Sequence, residues 1–469
     1  MEEIVVRQTK SAVCSLVVLA LFLPFSTGLG GGWNLAGVGA KALSMSGAFR
    51  AIADDHSAMY WNPAGLAGQS TSLYLEAKTL FPMTWVTPNT PSTTPGFDGY
   101  YLYRNGMKRT SKATIYPAGS FSFLYQVDNK ITTGLSVFFP SALGNEWDRL
   151  TLGPYQGYNE NPSYPSKDWS TDFKVMDIHP TVGYRVDEKL RIGLGISIDY
   201  ANVVLQAPKV TPSDDGTGNP IPMPAHHFFI DTELNGDGIG YGFNIGILYE
   251  VNEKLRVGAS YHSPVTIGLK GSVKQTLYMP NITEEENRKA EPDAEADLPL
   301  PMDFGVGAAY EPIEYMTVAA DIVWTNWKTV DEIDIDMDGV GLDGQAAQDS
   351  KLILHYEDTI RLSLGVNYIL DPKKGLELRG GYYYDPTPIP GETLRPNITD
   401  AANKSNFSLG CALNLSEKVM LEGYWEHLFS GKRTVSAKDN DGDGLYDNVP
   451  GEWKTQVDTF GFSLRYLFK

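Results

Sequence analysis

From residue 71 to its end the chain repeats one pattern: apolar and polar side chains alternate with a period of two. In residues 191–200 one face carries Ile192, Leu194, Ile196, Ile198 and Tyr200, the other Arg191, Gly193, Gly195, Ser197 and Asp199. The last segment sets Phe460, Phe462, Leu464, Tyr466 and Phe468 against Thr459, Gly461, Ser463 and Arg465. Period two is the signature of a β-strand whose faces meet different surroundings. A soluble sandwich satisfies it, and so does a membrane barrel with lipid outside and a polar lumen.

The spacing of the turns separates these two. Short turns fall at Val127–Lys130, Val186–Lys189, Val251–Lys254, Glu311–Glu314, Leu370–Lys373 and Leu415–Lys418. Three are near-copies: VDEKLRIG, VNEKLRVG and LSEKVMLE. Between the hairpins lie long segments rich in Pro, Asn and Asp, at 81–116, 141–171, 207–235, 273–301 and 438–453. Short turns at one end and long loops at the other mark a barrel whose ends face different compartments. Counting strand candidates gives about fourteen, an even number as antiparallel closure requires. The expected fold is all-β, a transmembrane antiparallel barrel. With a formal charge of −19 the chain lacks the basic face that nucleic acid needs.

Residues 12–25 form an apolar run too short to span a bilayer as a helix, preceded by Arg7 and Lys10. This predicts a signal peptide over 1–28. Cys14 lies within it, leaving Cys411 without an intrachain partner. Residues 29–70 are too short and interrupted for a domain, yet carry large apolar side chains that need a wall. They read as a plug, or hatch, inside a barrel formed by 71–469.

The segment Ala51-Ile52-Ala53-Asp54-Asp55, followed by the Asn62-Pro63-Ala64 triplet in the run Trp61–Ala67, resembles the FadL/TodX family, outer-membrane transporters of long-chain fatty acids and aromatic hydrocarbons. The resemblance implies a bacterial outer-membrane location and an N-terminal hatch blocking the lumen. It also implies passive uptake of hydrophobic molecules, most simply long-chain fatty acids, with lateral release beside the third strand. There Phe138-Phe139-Pro140 should fray the ladder, because proline cannot donate to it. An aromatic-hydrocarbon channel and an adhesive or structural barrel are the alternatives.

A hydrophobic ligand needs an apolar groove with a few orienting polar groups. Candidates are Trp33, Leu35, Phe49, Met59 and Trp61 in the hatch, with Phe138 and Phe139 in the wall; the same side chains could simply pack the plug. Lumen-facing Arg191, Arg256, Arg361, Arg379 and Arg465 could meet a carboxylate or pair with Asp199, Asp321, Glu377, Glu422 and Glu426. Asn62 is expected to pin the plug. In the loop 439–447, Asp439, Asp441, Asp443 and Asp447 space oxygens as a calcium loop does, though a solvated loop reads equally well. No other cofactor is expected, and no enzyme: neither nucleophile elbow, HExxH, P-loop nor Cys/His metal spacing occurs. The expected partners are hydrophobic small molecules, the outer membrane and its lipopolysaccharide, with the chain acting as a monomer.

Overall fold

The computed structural model describes residues 32–89, 106–148, 169–212, 227–278, 287–397, 400–438 and 448–468. The expected signal peptide over 1–28 and the calcium-loop candidates Asp439, Asp441, Asp443 and Asp447 lie outside these residues.

Fourteen strands form one closed antiparallel barrel. They are β1 (Ser72–Pro88), β2 (Tyr116–Gln126), β3 (Ile131–Trp147), β4 (Trp169–Arg185), β5 (Leu190–Pro212) and β6 (His227–Asn252). The next four are interrupted: β7 (Leu255–His262 and Val265–Tyr278), β8 (Asp293–Leu300 and Asp303–Tyr310), β9 (Met316–Thr325 and Glu332–Asp338) and β10 (Ser350–Ile353 and Thr359–Asp371). β11 (Leu376–Asp385), β12 (Lys404–Asn414), β13 (Val419–Ser430) and β14 (Gly451–Leu467) complete the circuit. Closure comes from β1 against β14, paired from Ser72↔Leu467 to Pro88↔Gly451, so the first and last strands leave no free edge.

The alternation sorts inside from outside in the sense a bilayer demands. Ile192, Leu194 and Ile196 on β5, and Tyr241, Phe243 and Ile245 on β6, are exposed on the outer wall. Asp177, His179, Asp199, Asn244 and Asp321 are buried within. A water-soluble sheet would bury the first set and expose the second. Among the described residues no helix is long and apolar enough to cross a membrane, so crossing falls to the strands.

Residues 32–71 lie inside the barrel. They form two short helices, α1 (Ala40–Ser44) and α2 (Ala58–Trp61), and a 3-10 turn at Pro63–Leu66. Asn62 is extended, with φ −163° and ψ 100°, and its Oδ1 accepts from the Ala64 amide at 3.2 Å; Pro63 opens the turn where no N–H is needed. Gly65 presses so closely on Ala53 that a Cβ there would sit 2.0 Å from the Ala53 carbonyl oxygen. The two motifs singled out in the sequence therefore form one packed unit. Gln69 ties it further, donating to the carbonyls of Asp55 and Gly65, both at 2.9 Å.

The expected loops need correction: β1 runs on to Pro88 within 81–116 and β3 to Trp147 within 141–171. The stretch 273–301 was expected to be loop, yet Val265–Tyr278 and Asp293–Leu300 are paired strands. Likewise β6 begins at His227, within a segment expected to be loop until 235. These strands project past the bilayer, where the outward face meets water and need not be apolar.

Candidate functional site

The bore has two storeys. In the lower one the inner segment meets the wall through glycines and polar groups. Lumen-facing glycines on adjacent strands leave no room for a side chain. A Cβ on Gly193 would lie 2.1 Å from Pro63, on Gly246 2.0 Å from Asn62, on Gly381 2.4 Å from Met45 and on Gly410 2.0 Å from Ser44. The small, polar face read in the sequence is thus the seat of the inner segment.

Arg50 is the ionic anchor of this storey. It is 3% exposed; its Nε donates to Ser260 at 2.9 Å, and its guanidinium lies 3.3 Å from Asp303 and 3.6 Å from Asp321. Asp321 also accepts the backbone amides of Phe49 and Arg50, at 3.1 and 2.9 Å. Asn62 donates to the carbonyls of Arg50 (2.7 Å) and of Ile247 on β6 (3.0 Å), joining the inner segment to itself and to the wall. Asn244 and His262 hold the carbonyls of Met59 and Tyr60 at 2.7 and 2.8 Å.

Beside these, His179 Nδ1 lies 2.9 Å from Asp177 and 3.2 Å from Ser197 Oγ, while its Nε2 faces Asn244 at 3.2 Å. A nucleophile relay needs the hydroxyl and the carboxylate on opposite ring nitrogens. Here they share one, so the three residues do not form that relay.

The upper storey is apolar. Trp33 and Leu35 join Leu143, Phe173, Trp327 and Tyr356 in one buried cluster, with Phe139 packed against it. The Trp33 ring lies 5.7 Å from Phe173, 5.7 Å from Trp327 and 5.5 Å from Tyr356. The other groove candidates sit lower. Phe49 and Trp61 pack within the inner segment's own core. Met59 groups with Leu66, Tyr74 and Leu124. Phe138 lies between the Tyr60 and His179 rings, at 5.6 and 5.5 Å.

At Pro140 the wall changes. The β3–β4 register shifts between Phe138 and Ser141. The β2–β3 ladder runs only from Gln126↔Thr132 to Phe121↔Val137, leaving β3 beyond it without a β2 partner. The inner segment takes part of that edge. Leu35 donates to the Pro140 carbonyl at 2.9 Å, Ala142 donates to that of Trp33 at 2.8 Å, and Asn34 bridges Ser141.

The lumen arginines divide. Arg191 pairs with Glu250, Arg256 with Glu311 at 3.9 Å, and Arg379 with Glu377 and Glu422 at 2.7 and 2.6 Å. Arg465 lies against Tyr74. Arg361 makes no ion pair within 4 Å among the described residues, although the buried Glu426 lies within its electrostatic reach. It lies 3.9 Å over the Tyr383 ring and donates to the carbonyls of Ala36 and Ser46, at 3.4 and 3.2 Å. Tyr383 belongs to the upper apolar cluster, so this cation borders it. The described residues contain no group of acids, His and Cys arranged to hold a metal.

Sequence reasoning missed Arg50, His179 and His262. The histidines were readable as lumen-facing, since His179 follows Asp177 on one face of β4. Arg50, a lone charge amid Ala48-Phe49 and Ala51-Ile52, was the other available signal.

Comparison with known proteins agrees with this geometry. The chain is 20% identical to a putative outer membrane protein of Neisseria meningitidis serogroup B, over 93% of this chain and 95% of that one. It is 23% identical to the long-chain fatty acid transport protein of Escherichia coli O6:H1, over 74% and 76%. Among solved structures it superimposes on a Pseudomonas aeruginosa FadL homologue with a TM-score of 0.73 at 16% identity, covering 93% of this chain and all of that one. The Pseudomonas putida toluene transporter TodX gives 0.70 at 18%, covering 93% and 99%. The profile of the outer membrane protein transport proteins matches residues 29–468, nearly the whole described chain. The chain belongs to that family, OMPP1/FadL/TodX, and is an outer-membrane β-barrel of the transport-channel class that carries hydrophobic compounds.

Proposed function

We propose that this protein takes up long-chain fatty acids by passive diffusion through its barrel, with residues 29–70 acting as a hatch. A ligand is captured among the outer loops and enters the apolar upper storey beside Trp33 and Leu35. It leaves sideways where β3 lacks a β2 partner at Pro140. The observation that carries this reading is the coincidence of three features: the apolar cluster, the unpaired edge of β3 and the inner segment that closes that edge. Nothing in the route needs chemistry; the ligand moves down its gradient, and the hatch shifts only as far as differential binding drives it.

Arg361 favours a carboxylate-bearing ligand over a neutral hydrocarbon. A half-buried guanidinium held by carbonyls and a ring, with no ion pair within 4 Å among the described residues, retains affinity for an anion. Titration calorimetry on purified protein tests this. Arg361→Gln should weaken oleate binding about tenfold, the range of a charge-assisted bond, and leave toluene binding unchanged. If both ligands weaken equally, or only toluene binds, the aromatic-hydrocarbon alternative stands instead. Monomeric behaviour and lipopolysaccharide contact belong to the same proposal; sedimentation in detergent and co-purified lipid report on them.

A further inference from the structure

The wall is interrupted a second time, between β8 and β9. Their ladder runs from Tyr310↔Val318 to Asp303↔Thr325 and resumes only at Ala296↔Ile335. Asp297–Pro301 therefore has no ladder partner on β9, a slot of about 16 Å at ~3.3 Å per residue. The other edge of the same stretch is fully paired with β7, from Asp297↔Gly268 to Leu300↔Val265, so the strand is not frayed. In place of the missing ladder β9 makes a 3-10 turn, Trp327–Thr329, and turns Trp327 inward, 1% exposed. The inner side of the two lips is apolar, with Leu298 and Leu300 on β8 and Val330 and Ile333 on β9 all in the cluster that contains Trp33, while Asp297 faces outward.

Both interruptions stand at one height. Pro140 is nine residues from the β3 end at Ile131, and Pro301 nine from the β8 end at Tyr310. Both are also met by one short stretch of the inner segment, Gly32–Leu35, of which Trp33 reaches both. Leu35 and Trp33 bond to β3 at Pro140 and Ala142. Trp33 stands edge-on to Trp327, and the Trp327 ring lies 2.6 Å from where a Cβ on Gly32 would be. Gly32, with φ +60°, is the residue that lets the chain pass under the ring.

We propose that the β8–β9 slot is the side entrance through which apolar molecules captured among the outer loops, an acyl chain or aromatic ring, reach the upper storey, with Trp327 as its lid. A chain pressing between Leu298 and Val330 displaces Trp327, and with it Trp33. Because Trp33 and Leu35 are adjacent on the segment that closes β3, opening at the entrance weakens closure at the exit. Ligand and opening are then linked reciprocally. The proposal rests on the transport reading, since an entrance matters only if the barrel conducts.

The test uses the full chain in proteoliposomes, with Leu298→Cys in a Cys411→Ser background because Cys411 is exposed. A membrane-permeant maleimide should label residue 298 slowly in the resting protein. Labelling should be about tenfold faster with oleate present, or with Trp327→Ala added, a size typical of coupling between sites. Equal labelling in all three states overturns the proposal. So does unimpaired oleate uptake by fully labelled protein, since a bulky adduct in the slot must block an entrance. If the unlabelled protein takes up no hydrophobic probe, it is the transport reading that fails. Retention of the compact band on unheated gels shows that each variant has folded.

Discussion

The two storeys of the bore solve the problem of filling a barrel in opposite ways. Below, glycines strip the wall to its backbone, and a polypeptide with one buried arginine is fitted against it by hydrogen bonds. Above, indole and phenyl rings meet at 5.5–5.7 Å around Trp33 with few polar groups to fix them. Directional bonds with buried charge give one well-defined arrangement; ring contacts are worth about 0.5–1.5 kcal/mol each beyond their buried area and tolerate exchange. The lower storey is built to stay shut, whereas the upper can trade its own side chains for a ligand of like character. That difference is what a gated path for apolar molecules requires.

The comparison breaks most sharply at Arg50. Arg50→Met leaves the buried Asp321 without its cation and the half-buried Asp303 with His262 alone, and stranding a buried charge costs about 3–5 kcal/mol. The lower storey should loosen, seen as an earlier urea midpoint in detergent and a leak of small polar solutes from liposomes. An unchanged midpoint and a tight vesicle would show that the inner segment is held by packing alone.

Adjacent glycines on β11 test the fit itself. Gly381 faces Met45, where a Cβ would lie 2.4 Å from the Met45 carbonyl carbon, while the nearest atom to a Cβ on Gly380 is 3.5 Å away, an ordinary contact. Gly381→Val should cost about 1–3 kcal/mol by overpacking and shift the inner segment. Gly380→Val should be neutral, because β-branched residues suit an exposed strand face. Equal effects in thermal melts would mean that the seat is not where these contacts put it.

Asn62→Ala comes next. It deletes two donated bonds and one accepted bond, including the donor to the Arg50 carbonyl, for about 1–3 kcal/mol. The effect should appear as faster dye flux through proteoliposomes with little change in the melting of the barrel. Unchanged flux would remove Asn62 as the pin.

Much of this contrast was legible in the sequence because the physics was local. Period-two alternation located all fourteen strands, since lipid on one side and bore on the other act on every residue in turn. The near-identical hairpins marked the short-turn end for the same reason. What escaped depended on distance along the chain or on a change of surroundings. Arg50 meets Asp303 and Asp321 across 253 and 271 residues, and nothing local encodes that pairing. Asp293–Leu300 reads as an acidic loop because Asp293, Glu295 and Asp297 face outward above the bilayer; the strand signal survives only in Ala294, Leu298 and Leu300 on the inner side. The glycines were visible as a small face, but which side chain each one admits is set by the inner segment. Phe49 and Trp61 were visible as apolar, but whether such a side chain packs in the lower or the upper storey is a question of height, which a one-dimensional pattern does not carry.

The smallest expected effect lies outside the bore, in the hairpin between β4 and β5. Asp187 Oδ1 accepts the amides of Lys189 and Leu190, both at 2.8 Å, and these backbone bonds hold its carboxyl below the usual aspartate range. A carboxyl with a depressed folded value contributes fully above the ordinary aspartate range, and the contribution is lost as pH falls through the depressed value. The hairpin should therefore be tight at neutral pH and loosen only in strong acid, seen as faster amide exchange at Lys189 and Leu190 corrected for intrinsic rates. The second copy of the turn shows how to remove the dependence: Asn252 Oδ1 accepts from Lys254 and Leu255 at 2.9 and 3.0 Å with no titratable group. Asp187→Asn should match the parent at neutral pH and keep its protection in acid. If the variant loosens in acid as the parent does, the carboxylate is not what couples this turn to pH, and the loss belongs to the barrel as a whole.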